Sequence, residues 1–415
     1  MKKIAILLLP FLFTACEGLS SKKVKNIVEM TPKLAVESER PIQIDGNLIK
    51  NTIDQNSVKF KAYNVSKHKI ISKPAFAKGI IYSIDSKGIV NAFSKKEKKI
   101  LWSYDITNKL SHDDYIGGGI TYNDGKLYIT NGSRFLMILS DQGYEILRKE
   151  FPDIIRVKPI MVSNNVVLIQ TLSNQLFAYD VEHSIFVWQH EGMAETLSYS
   201  NHIAPIVYKG RVFVNYTSGQ IFSLDVKNGQ EEWSLNLSSE QDISLPNFEP
   251  SLMICDPIID GNNIYIASST DKLIKMDLVT GSITWQIAAS DIQSISLYGN
   301  NIFLATNARQ VASISTIDGK VVWVADLGLP SEGKKGKVKA ITFLPPLIGK
   351  ANNSWALNII ANNGEIYSLH ADNNGSLATT TPVVIKTIKN IQYNGFTCCG
   401  DSFVVTDKQI AFSEK

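Results

Sequence analysis

Cysteine is scarce, with four in 415 residues at positions 16, 255, 398 and 399. They form no CxxC pair, which excludes the spacing of a thiolate zinc site, and the three beyond Cys16 leave at least one unpaired, which excludes a disulfide framework. Charge of one sign is missing as well. Lys and Arg number 42 against 39 Asp and Glu, so the chain carries no electrostatic footprint for nucleic acid or for strong adsorption to acidic lipid. Beyond the N-terminus no apolar run approaches the roughly 18 residues needed to cross a bilayer. The six histidines, at 68, 112, 183, 190, 202 and 370, are scattered. His190-Glu191 lacks a second His at the metalloprotease offset, where Ala194 stands. His112-Asp113-Asp114 has ligand-type side chains, but Gly117-Gly118-Gly119 follows and the pattern is that of a solvated loop. There is no GxSxG nucleophile turn and no GxxxxGK[ST] phosphate loop. These absences favour a protein that binds over one that catalyses.

The N-terminus reads as an address. Met1-Lys2-Lys3, an apolar run from Ile4 to Phe13, and Thr14-Ala15-Cys16 have the order of an export signal, with residues 1–15 removed. The ending Leu12-Phe13-Thr14-Ala15-Cys16 resembles the bacterial lipobox, with Phe13 where Leu is usual. That resemblance implies acylation of Cys16, a palmitate-type anchor. Residues 16–40 are polar, with mixed charge and no apolar period, as expected of a tether. As a coil it would reach on the order of 25–30 Å.

What fills the rest is repetition. Trp188, Trp233, Trp285 and Trp323 are 45, 52 and 38 residues apart, and Trp102 precedes Trp188 by 86. The segments share a grammar, cleanest in Met276-Asp277-Leu278-Val279-Thr280-Gly281-Ser282-Ile283-Thr284-Trp285. Asp225 and Gly229 precede Trp233 in the same way, Asp180 precedes Trp188, and Gly319 precedes Trp323, while Lys replaces the Gly before Trp102. Short β-branched and aromatic runs separated by Gly, Asn-Gly or Asp-Gly indicate antiparallel hairpins, about four strands per unit. Sheets this small must stack to bury their faces. Units begin near Pro74, Ile116, Pro159, Pro205, Pro257, Ser294 and Leu344, and a fragment from Asn394 ends without its Trp-bearing strand. The segment 41–63, notably Val58-Lys59-Phe60, supplies the missing strand. The expectation is therefore an all-β, eight-bladed β-propeller over 41–415, with four-stranded antiparallel blades and a ring closed by an N-terminal strand. About 47 residues per unit fits a propeller blade. Each Trp should lie flat between blades with its N–H on a loop carbonyl, and the Asp oxygens should cap turn amides.

The ending Ala/Ser-x-Asp-x-x-Thr-Gly-x-x-x-Trp resembles the tryptophan-docking motif of quinoprotein-like (PQQ-type) propellers. With the lipobox and the length, the chain is similar to the BamB family of outer-membrane β-barrel assembly lipoproteins. That resemblance implies a scaffold without enzymatic activity or cofactor, held by lipid on the periplasmic side of the outer membrane and docked on the POTRA domains of a BamA-type barrel protein. The family's contact loop lies before an Ala-Pro that opens a blade. Here Ala204-Pro205 follows Leu197, Tyr199 and Ser200, so Leu197 and Tyr199 would take the apolar contacts and Ser200 replaces the family's Arg. A second, acidic contact segment retains only Asp256. The alternatives are a generic protein-binding propeller or a quinoprotein dehydrogenase holding PQQ and Ca²⁺, for which the adjacent pair Cys398-Cys399 is the point of comparison. No acidic cluster with Ca²⁺ spacing accompanies that pair. The segment Gly328–Lys339 is Gly-rich and basic, a solvated loop or a contact for an acidic partner.

Overall fold

Runs such as Ile80–Ile84 (IIYSI) and Phe135–Ser140 (FLMILS) are apolar at consecutive positions and almost wholly buried. A strand can use such a run only where both sheet faces are covered. Others, such as Lys99–Asp105 (KILWSYD) and Ile283–Ala288 (ITWQIA), alternate between exposed and half-buried positions, the mark of an edge strand with one covered face. A computed structural model describes residues 53–54, 60–107, 115–193, 203–237, 252–327, 341–351, 354–371, 383–387, 390–396 and 402–413, all in a compact unit spanning 33–415. None of the described residues is helical. They form eight sheets. Blades 1 to 7 span 75–105, 119–150, 160–191, 206–236, 258–288, 292–326 and 347–387, and blade 8 combines 391–413 with Phe60–Asn64.

The arrangement is an antiparallel eight-bladed propeller. First strands of consecutive blades approach one another, as in blades 1, 2 and 3, so they converge on the axis and the fourth strands form the perimeter. The core is divided among the gaps between blades. Tyr82, Ile84 and Val90 of blade 1 pack on Leu127, Ile129 and Met137 of blade 2, and comparable clusters join each later pair. Between blades 8 and 1 the same role falls to Ile81, Phe93, Phe403 and Phe412.

The N-terminal strand closes the ring. Phe60–Asn64 pairs with Gln409–Ser413 in the register Phe60↔Ser413 to Asn64↔Gln409. Gln409 Nε2 donates to Asn64 Oδ1 at 2.8 Å. This strand begins two residues later than Val58, from which the sequence pattern started it. Blade 7 departs from the four-strand expectation: Ile53–Asp54 adds a fifth strand, parallel to the first strand Leu347–Ala351.

Four of the motif tryptophans span a gap. Trp102, Trp188, Trp233 and Trp285 donate their indole N–H to Asp141 O, Val226 O, Leu278 O and Thr316 O of the next blade, at 3.0, 3.1, 3.1 and 3.2 Å. The rings lie on the glycine of that blade's last turn. A Cβ at Gly143, Gly229, Gly281 or Gly319 would fall 2.7, 2.6, 2.6 or 2.9 Å from the indole arriving from the preceding blade. A one-residue bulge in blades 1 to 7 skips the residue just before the tryptophan position, as between Ala92↔Trp102 and Phe93↔Ile100; bulges re-aim side chains in this way. The turn aspartates cap amides as expected. Asp277 Oδ1 accepts from Val279 N and Thr280 N at 2.9 and 2.8 Å, and these bonds, that of Thr280 first, hold its carboxyl below the ordinary range. Asp180 and Asp225 cap their turns likewise. For Trp323 the corresponding turn of blade 7, in 372–382, lies outside the described residues.

Lysine before Trp102 now has a physical reason. The glycine position takes a positive φ in every described copy, but glycine itself occurs where a tryptophan arrives. Blade 2 carries Leu147 at the tryptophan position, and blade 3 receives it with Ser184 at φ 56°. Blade 8 closes with an unbulged strand lacking tryptophan, and blade 1 presents Lys98 at φ 55°. Left-handed backbone alone tolerates a side chain at a cost of about 1–2 kcal/mol; left-handed backbone beneath an indole does not. Gly281→Ala should destabilise the protein by about 2–4 kcal/mol, whereas Ser184→Gly should change stability by less than about 1 kcal/mol. Trp285→Ala should cost about 3–5 kcal/mol. Urea-denaturation midpoints read all three, and equal midpoints for Gly281→Ala and wild type would remove the docking role.

Candidate docking face and axial mouth

Strand direction sorts the connections onto two faces. In each blade the first-to-second and third-to-fourth hairpin turns lie on one face; the second-to-third turns and the connections between blades share the other. The long connections before blades 2, 4, 5 and 7 therefore start and finish on that second face. Of the residues chosen from sequence, Leu197, Tyr199 and Ser200 fall in 194–202, outside the described residues, as do Cys16, Cys398, Cys399, the segment 328–339 and His112-Asp113-Asp114. The described neighbours of the first group are Met193, 61% exposed, and Ile203, buried. Asp256 is described, on the lead-in to blade 5.

Asp256 belongs to a wall that sequence reasoning did not assemble. The lead-ins to blades 1 to 5 and the first strand of blade 8 surround a cavity of about 700 Å³ at the axis of this face. Lys69 and Lys73 come from blade 1, Arg156 and Lys158 from blade 3, and Asp256 from blade 5. Blades 1 and 5 stand opposite in an eight-membered ring, so Lys73 and Asp256 face each other across the mouth. Burial lowers the Lys73 pKa, the neighbouring Lys158 charge lowers it further, and Asp256 opposes both. No described residue forms an ion pair with any of these four cations. The triple glycine makes the wall compact: a Cβ at Gly118 would sit 2.2 Å from Thr130 O, and one at Gly119 would sit 2.6 Å from Lys158 Cβ. Gly117-Gly118-Gly119 thus lets blade 2 press against Arg156 and Lys158. No local sequence signal groups these charges, because they lie on separate blades.

Two other groups with chemical potential are committed to packing. His190 Nδ1 lies 2.8 Å from Tyr216 Oη and its Nε2 lies 2.9 Å from Glu231 Oε1. Its ring stacks on Tyr216 at 5.7 Å and 5°. Both nitrogens are thereby used in a clamp between blades 3 and 4. Cys255, a free thiol, packs against the cluster between blades 5 and 6; burial first, then Asp256, pushes its pKa up to about 12. Among the described residues no His, Cys, Asp and Glu cluster has the geometry of a metal site.

Fold and face together define a tryptophan-docked propeller that carries the described ends of its longest connections and a cationic axial mouth on one face. The family described as outer membrane protein assembly factor BamB matches residues 86–325 and 247–410, and the chain belongs to it. An uncharacterised protein of Rickettsia conorii is 45% identical over 417 residues, covering both chains in full. Similarity to the BamB of Yersinia pestis is 22% over 219 residues, 52% of this chain and 56% of that one; the alignment thus spans about half of each. The crystal structure of BamB from Moraxella catarrhalis superposes with a TM-score of 0.64 at 15% identity, covering 86% of this chain and 98% of that one. A computationally designed protein, Ika8, gives 0.60 at 14% identity.

In a variant retaining Cys255 as its sole cysteine, maleimide labelling of the native protein at pH 7.5 should run about 10³-fold slower than after unfolding, given an unperturbed thiol pKa of about 8.5. Equal rates would show the thiolate to be accessible.

Proposed function

We propose that the protein is a non-enzymatic scaffold of outer-membrane β-barrel assembly, acting by docking on POTRA domains of a BamA-type partner. The family match over most of the propeller carries this reading. Two structural features support it. The motif tryptophans and His190 are occupied by contacts between blades, which leaves the long connections as the adaptable surface. The outer strands also expose apolar side chains over three consecutive blades: Ile100 and Leu101, then Tyr144 and Ile146, then Ile185, Phe186 and Val187. Such side chains offer apolar surface to a partner protein.

In this reading Leu197 and Tyr199 anchor the partner, Ser200 borders them, and Asp256 supplies the acidic contact. Residues 1–15 are the signal, Cys16 carries the lipid, and 16–40 hold the propeller on the periplasmic side of the outer membrane. Affinity comes from a few buried anchors rather than from the full contact area. Pull-down of the full-length protein from native membranes should recover the barrel-assembly protein, and Leu197→Ala with Tyr199→Ala should reduce recovery about tenfold or more. Recovery unchanged by that double variant would move the docking site elsewhere, and stoichiometric bound quinone in the native protein would overturn the scaffold reading. Cys16→Ser should shift the protein from the membrane to the soluble fraction; unchanged association would exclude lipidation as its cause.

A further inference from the structure

The fifth strand of blade 7 fixes where the N-terminal chain meets the ring. Ile53–Asp54 pairs in parallel with the axial strand Leu347–Ala351, in the register Ile53↔Gly349 and Asp54↔Lys350. First strands start on the second face, the one that carries the connections between blades, and run towards the hairpin face. A strand parallel to one of them runs the same way, so the chain enters Ile53 from the second face, at the axis. Gly349 lies only two residues beyond the start of its strand, which puts that entry level with the lead-in to blade 7. Asn394 of blade 8 donates its Nδ2 to Pro345 O of this lead-in at 3.2 Å, and Tyr393 and Gln392 beside it line the axial mouth. The mouth therefore opens next to the point of entry. We infer that residues 41–52 form a strap across the axial mouth, running from blade 7 towards blade 3, which stands opposite it in the ring.

Residues 41–52 read PIQIDGNLIKNT. Nine extended residues reach up to about 30 Å, which is ample to cross a space of about 700 Å³. The composition also matches the wall. Near the entry, Leu48 and Ile49 would cover apolar groups that the mouth leaves open: Ile116, 63% exposed, with Ile71, Tyr115 and Tyr393. An exposed large apolar side chain in a concave site marks a place that another surface covers. Farther along, Asp45 comes within reach of Lys158 on blade 3 and Lys73 on blade 1. Both are exposed, and neither has an ion-pair partner among the described residues. A segment held at Ile53 is present over the mouth at high effective concentration, so a few weak contacts suffice to seat it. The strap needs neither a lipid nor a partner protein, so it stands or falls apart from the scaffold reading.

The test uses the full-length protein with Cys255 as its only native cysteine. Ile116→Cys, reacted with a polyethylene-glycol maleimide, reports cover over the mouth. Evicting the strap with Leu48→Asp and Ile49→Asp should speed that labelling about tenfold or more. Ile317→Cys, on the hairpin face where Ile317 is 68% exposed, should label at one rate in both backgrounds. A short bis-maleimide should join Asp45→Cys to Lys158→Cys within one chain. It should not join Asp45→Cys to Lys78→Cys, since Lys78 lies on the opposite face beside Asp141 at 3.4 Å. Circular dichroism and the denaturation midpoint verify folding, and should the double aspartate variant fail to fold, the cross-link carries the test with Leu48 and Ile49 in place. Ile116→Cys labelling unmoved by the aspartates, linkage of Asp45→Cys to Lys78→Cys, or links formed only between chains, the mark of a second copy, would each overturn the strap. So would protection of Ile116→Cys in native membranes that is absent from the purified protein, which would assign the mouth to a partner.

Discussion

The seating of an indole on a bare backbone turn of the next blade is the constraint on which this ring depends. Each four-stranded sheet buries one face against each neighbour, and dispersion alone would let two such sheets slide. The tryptophan removes that freedom in two ways. Its N–H reaches one carbonyl, at 3.0–3.2 Å in the four complete copies, and its ring covers a glycine whose Cβ would clash. The contact is heterologous, since blade n gives the ring and blade n+1 gives the turn. Repeated around a circle, such a contact needs no terminal cap.

The architecture was legible because its signal is periodic. Tryptophan cadence, Asp-Gly turns and the missing last strand led to eight blades and to closure from the N-terminus, all of which the fold shows. The sequence pattern misread smaller things for identifiable reasons. Ile53–Asp54 is too short to have a period of its own, so its pairing with the axial strand of blade 7 carries no local trace. The lysine preceding Trp102 read as a decayed motif, whereas its blade receives no indole. A glycine in this motif reports on the tryptophan one blade earlier, not on the one four residues ahead.

The functional surface was less legible, because charge at an axis is assembled across blades. Lys73, Lys158 and Asp256 are separated by 85 and 98 residues, and nothing in a linear reading connects them. The triple glycine was visible as a loop signal, but its role is close packing at the wall of the mouth. Conversely, His190 and Cys255 attract attention as reactive side chains and are absorbed by packing: one is held between Tyr216 and Glu231, and the other is desolvated.

Closure by the first strand also sets a timetable. Asn64 meets Gln409 across 345 residues of chain, a separation that makes this pairing among the most entropically demanding steps of folding. During synthesis from the N-terminus, blades 1 to 7 can stack in order while Phe60–Asn64 waits unmatched and blade 1 keeps one face uncovered. Emergence of residues 391–413 turns an open arc into a wheel. Loss of even the final strand, Gln409–Ser413, would therefore leave two raw edges at once, one at each end of the stack.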